Sequence, residues 1–95
     1  MSLAKKYSDA RKAYRVSLRH KLLKGYASEC AANTHLDKRW INGFMAAGFH
    51  SGLITLKELR LECLAAYRTV FGQRMSSSQD AHLERRLSKL CQSDA

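Results

Sequence analysis

The sequence predicts an all-α fold, a single small domain of four to five helices. Three observations predict it. There is no proline, and the five glycines stand at isolated positions, a composition suited to helices joined by short turns. Apolar residues recur at three- and four-residue steps through most of the chain. At 95 residues the chain can bury one core, since two would each be too small to persist alone.

The elements follow in order within one domain, 1–95. Residues 1–24 read as a basic N-terminal helix beginning at Leu3, with Leu3, Tyr7, Ala10, Tyr14, Leu18 and Leu22 on one stripe. Lys5, Lys12 and Arg19, seven residues apart, share the opposite face, and Gly25 is a suitable stop. A short helix over 27–33 with Ser28 as cap, a turn at Asn33–Leu36 and a third helix from Asp37 to about Ala47 form a helical pair over 27–47. Gly48 and Gly52 bracket a loop. Thr55-Leu-Lys-Glu58 is a capping box that opens a helix over 55–71, with Leu56, Leu59, Cys63, Ala66, Tyr67 and Val70 inward and Gly72 at its end. A last helix over 79–92, with a second capping box at Ser77-Ser-Gln-Asp80, carries a narrow stripe of Leu83, Leu87, Leu90 and Cys91. That stripe is narrow enough to suit a partner subunit, and a homodimer is expected.

Charge is the strongest functional signal. Seventeen Lys and Arg against eight Asp and Glu give +9, and residues 1–24 hold eight of those cations with one anion, Asp9. So +7 of the +9 lies in the first quarter of the chain. A concentrated positive field draws polyanions, nucleic acid first and an anionic membrane surface next. A soluble basic protein needs no such clustering. Tyr7 and Tyr14 interleave the cations; their place on the apolar stripe assigns them to the core rather than to base stacking.

The segment 27–46, Ala-Ser-Glu-Cys-Ala-Ala-Asn-Thr-His-Leu-Asp-Lys-Arg-Trp-Ile-Asn-Gly-Phe-Met-Ala, resembles the helix-turn-helix of phage and bacterial repressors. Ala31 is the small residue where two helices would cross, and Cys30, Leu36, Ile41 and Phe44 stand at the offsets that point between them. The resemblance implies a helix over 37–47 lying in the major groove, with Lys38, Arg39 and Asn42 at base edges and Lys5, Lys12, Arg15 and Arg19 on phosphates. Two departures stand out: the turn position that usually holds glycine is His35, and Gly43 falls inside the reading helix.

Over the same residues, Lys24-Gly-Tyr26 followed by Trp40-Ile-Asn-Gly-Phe44 and Ala47 resembles the ribosome modulation factor and its small basic relatives. That kinship implies a first helix gripping ribosomal RNA, with Trp40 and Phe44 as packing residues. Here the spacing between the two elements is shorter, the family's Cys-Pro-Tyr segment is absent and the chain is longer.

Other chemistries find little footing. Gly52-Leu-Ile-Thr-Leu-Lys-Glu58 resembles the second half of an EF-hand loop, but Ala47 and Phe49 occupy places where oxygen ligands are required. Cys30, His35, His50, Cys63, His82 and Cys91 form no CxxC or HxxxH pair, so no zinc is expected. The three widely spaced cysteines fit reduced, buried thiols of a cytoplasmic protein. No Gly-rich phosphate loop is present, and no cysteine has a local base to activate it. The expectation is a non-enzymatic, cofactor-free protein that binds DNA rather than RNA, as a homodimeric transcriptional regulator of a mobile element, with no membrane and no small-molecule substrate. Binding RNA or the ribosome, or inhibiting a protein complex, are the alternatives.

Overall fold

The computed structural model describes the backbone of residues 3–31 and 35–92 and, of those, the side chains of residues 3–28 and 40–92. Among them are four α-helices and no strand: α1 (Leu3–Ala31), α2 (His35–His50), α3 (Leu56–Phe71) and α4 (Ser77–Leu90). At 1.5 Å per residue the 29 residues of α1 run about 43 Å, nearly the whole 44 Å long axis of the molecule.

α1 packs most extensively on α3, and also on α2; α4 packs on α3 and touches α2. Side-chain contacts fix the directions. Arg11 and Arg19 reach Glu58 and Glu62, and Tyr26 reaches Tyr67 and Phe71, so α1 and α3 run parallel. Gly25 lies against Ile41 and Tyr14 against Gly48, so α2 runs back along α1.

Each helix gives the core at least one wholly buried side chain: Leu18 from α1, Met45 from α2, Leu59 from α3 and Leu87 from α4. Burying one such side chain stabilises the fold by about 1.5–3 kcal/mol. Tyr14, Leu22, Ile41, Ile54, Cys63, Ala66 and Leu83 complete the cluster.

Several expected boundaries are corrected. α1 does not stop at Gly25: it continues to Ala31 and takes in residues 27–31 of the short helix expected over 27–33, whose last two residues lie outside the described ones. Gly25 serves as a site of close approach instead, since a Cβ there would lie 2.6 Å from Ile41 Cδ1. α2 begins at His35, so Asp37 falls in its first turn rather than capping it. α2 also runs through Gly48, where a Cβ would sit 2.1 Å from the Tyr14 ring; only a residue without one lets that ring lie against α2.

At α3 the expected capping box is present: Thr55 Oγ1 accepts from the Glu58 N–H at 3.1 Å, and Glu58 Oε1 accepts from the Thr55 N–H at 3.0 Å. Gly72 closes the helix in the left-handed region, at φ 70°. At α4 the box lies one residue earlier than expected, with Ser76 as cap and Gln79 as its partner. Asp80 has other work, accepting from Arg60 Nη2 at 2.9 Å and tying α4 to α3. The α4 stripe is spent inside the chain: Leu83 and Leu87 are buried, and Leu90 and Cys91 pack against the core.

Candidate nucleic-acid interface

α1 carries two kinds of cation. Its arginines face α3 and are engaged. Arg11 donates to Glu58 Oε1 and, through Nε, to the Leu53 carbonyl at 3.2 Å. Arg15 bridges Glu58 and Glu62 at 3.0 Å each, and Arg19 holds Glu62 through Nε at 3.1 Å and Nη2 at 2.9 Å. Glu62 is nearly enclosed, its side chain 5% exposed, so its charge depends on these donors. Arg15 and Arg19 remain partly open, at 33% and 53%.

Both carboxyls lie below the usual carboxylate range. For Glu62 the main cause is the hydrogen bond from Arg19, which outweighs burial; for Glu58 it is the Thr55 backbone N–H. The sequence reading assigned Glu58 to a cap and gave Glu62 no role. The signal was present: arginines at 11, 15 and 19 and glutamates at 58 and 62 all repeat at one helical turn.

The lysines stand apart. Lys6, Lys12 and Lys24 are exposed on α1 and enter no ion pair among the described residues. His20 is exposed between them. Lys21 points toward α2, where its Nζ lies 4.9 Å from the Trp40 ring centroid and 4.7 Å from that of Phe44, and donates to Ser17 Oγ at 3.0 Å.

The α1–α2 seam is aromatic. Tyr14 and Phe44 stack with centroids 4.7 Å apart and planes 12° apart; Trp40 continues the stack at 6.2 Å and 17°. The Tyr14 hydroxyl donates to the Phe44 carbonyl at 2.7 Å, and burial pushes its pKa up to about 12. Trp40, at the open end, is 61% exposed. It stands beside a cleft of about 440 Å³ that His20, Lys21, Lys24 and Ser28 also line.

The residues singled out from sequence fall into separate places. Lys5 and Lys12 are exposed on α1, while Arg15 and Arg19 bind α3. Lys38 and Arg39 lie in the backbone of α2, with side chains outside the described residues, as are those of Cys30 and Leu36. Asn42 is half-buried, and its Oδ1 accepts from Arg86 of α4, through Nε at 3.1 Å and also through Nη2. On the described exposed face of α2 stand Trp40, Gly43, Ala47 and His50, with no row of amide or guanidinium groups. Of the tyrosines assigned to the core, Tyr14 is buried, whereas Tyr7 is half exposed and held through its hydroxyl on the Gly52 carbonyl. The sequence reading missed Trp40 as an exposed ring and His20 and Lys24 as its neighbours.

Cys63 is buried and Cys91 half-buried, both as free thiols. Burial pushes the Cys63 thiol up to about 11 and raises that of Cys91. Neutral thiols are poor nucleophiles and poor metal ligands. Among the described residues no three His, Cys, Asp or Glu side chains group as a metal site, and no helix is long and apolar enough to cross a membrane.

Compared with known proteins, the chain matches no family model, no curated protein and no solved structure. The two resemblances therefore rest on the residues quoted for them.

Proposed function

We propose that the chain is a non-enzymatic nucleic-acid-binding protein that grips the phosphate backbone with the lysines of α1. One observation carries this reading: Lys6, Lys12 and Lys24 stand exposed and without ion pairs among the described residues, while the arginines of the same helix are committed to α3. From Lys6 to Lys24 is about 27 Å along the helix, the length of about eight nucleotide steps. Eighteen residues are five turns, so Lys6 and Lys24 share one face of α1, and Lys12 lies about 120° around the axis from them. The free thiols of Cys63 and Cys91 suit a reducing compartment such as the cytoplasm.

The finer reading, a homodimeric regulator that reads duplex DNA with the start of α2, rests on Lys38 and Arg39, because Asn42 is held by Arg86. The test is a fluorescence-anisotropy titration of labelled single-stranded DNA, random duplex and structured RNA between 50 and 200 mM salt. Binding through three or four phosphates predicts that log K falls linearly with log salt, with a slope of about −2 to −3.5. Binding to none of these, or binding indifferent to salt, overturns the proposal. One strongly preferred duplex would restore base reading by α2.

A further inference from the structure

We propose that Trp40 is a stacking platform for an unpaired nucleobase, so that the protein takes single strands in preference to duplexes. The inference rests on the nucleic-acid reading above and names the form of nucleic acid and the residue that selects it.

Three features converge on Trp40. First, it is the open end of a three-ring stack. Tyr14 anchors the inner end, 9% exposed and hydrogen-bonded to the Phe44 carbonyl, and Phe44 and Trp40 follow with near-parallel planes. The indole plane is therefore set before anything binds, which lowers the ordering cost of adding one more ring. Second, Trp40 is 61% exposed although the chain has a core to cover an indole. A ring left out of the core and aligned with a stack offers π surface to a planar partner. Third, the cleft beside it is cationic on its α1 wall, where Lys21 and Lys24 stand with His20 around the same 440 Å³. That volume lies in the range of pockets that hold small molecules, about 300–1,000 Å³.

A planar ring joined to an anion a few ångströms away is the description of a nucleotide in a single strand. Every base has a π-face, so the contact accepts any sequence. A duplex hides those faces in its own stack and leaves only phosphates to the lysines. An acidic peptide offers carboxylates but no regular planar partner. Lys21, with its Nζ over both the Trp40 and Phe44 rings, sets a cation at the same platform.

Trp40 is the one tryptophan in the chain, so its emission reports this contact alone. The experiment titrates the 95-residue chain with a thymidine 12-mer, a 12-base-pair duplex and inorganic polyphosphate, following tryptophan fluorescence together with a separate binding signal. All three should bind with salt dependence, but only the 12-mer should strongly quench Trp40. Trp40→Leu should lose about tenfold in affinity for the 12-mer, the effect of removing one base–ring stack, and keep its affinity for polyphosphate. Trp40→Phe should recover most of the loss. Melting of each variant, expected near that of the parent because the ring is exposed, excludes misfolding as the cause. Binding without quenching, equal quenching by polyphosphate, or unchanged 12-mer affinity in Trp40→Leu overturns the platform while leaving the lysine reading standing. Binding of none of the three removes both.

Discussion

The two seams of α1 are built on opposite chemistry. Against α3, three arginines interleave with two glutamates, and the contact is held by charge-assisted hydrogen bonds of 2.9–3.1 Å. Against α2, Tyr14 and Ile41 sit where Gly48 and Gly25 leave room, and the contact is held by ring stacking and close backbone approach. The ionic seam fixes register, because each guanidinium must meet a carboxylate one turn along. The aromatic seam fixes distance, because any side chain at Gly48 would push the helices apart. The comparison also sorts the cations: those with carboxylate partners hold the fold, and those without are the ones proposed to grip phosphates.

The largest expected effect comes from the ionic seam. Glu62→Ala removes the acceptor shared by Arg15 and Arg19 and should destabilise the fold by about 2–3 kcal/mol, less than a fully buried pair because both arginines are partly open. Thermal melting should show a fall of about 10–20 °C; a change under a few degrees would mean the seam is ornamental.

Acid should attack the same place. Both glutamates have folded pKa values below their unfolded ones, so their stabilisation is complete above the unfolded value, about 4.3. It is lost as pH falls through the lower folded values. Melting temperature should therefore drop steeply below about pH 4, and less steeply in Glu62→Gln. Equal slopes would place the acid sensitivity elsewhere.

The aromatic seam yields a graded pair. Gly48→Ala forces a methyl into the Tyr14 ring and should cost about 2 kcal/mol, read as a shift in urea midpoint together with a change in near-ultraviolet circular dichroism. The smallest effect should have the opposite sign. Gly43 has nothing within 4 Å of where a Cβ would go, so Gly43→Ala should stabilise α2 by about 0.5–1 kcal/mol. If Gly43→Ala is instead the more damaging of the two, the packing assigned to α2 is wrong.

How far these features were legible depends on their range. Leu18, Leu22, Leu59, Cys63, Leu83 and Leu87 stood out at helical spacing, and all are buried. The Thr55 box and the Gly72 stop are local chemistry and were equally readable. Gly25 was misread as a stop because a helical glycine used for close approach looks the same as a cap until its neighbour, Ile41, is known. Asp80 was misassigned to a cap because Arg60, its actual partner, lies 20 residues away. In the candidate site, the basic character of α1 was plain, but which cations stay free depends on Glu58 and Glu62, more than 40 residues distant. Nothing local reveals that Trp40 stays uncovered, since a tryptophan near the start of a helix is as well suited to a core.

The division of labour between the cations of α1 is tested most directly by one triple variant, Lys6→Ala, Lys12→Ala and Lys24→Ala together. It should melt within a few degrees of the parent, because none of the three enters an ion pair among the described residues. Anisotropy titrations against a single-stranded oligonucleotide should show its affinity greatly reduced and its salt slope shallower by about 2–2.7, or about 0.7–0.9 for each phosphate contact removed. Unchanged affinity and slope, with or without a loss of stability, would contradict the account.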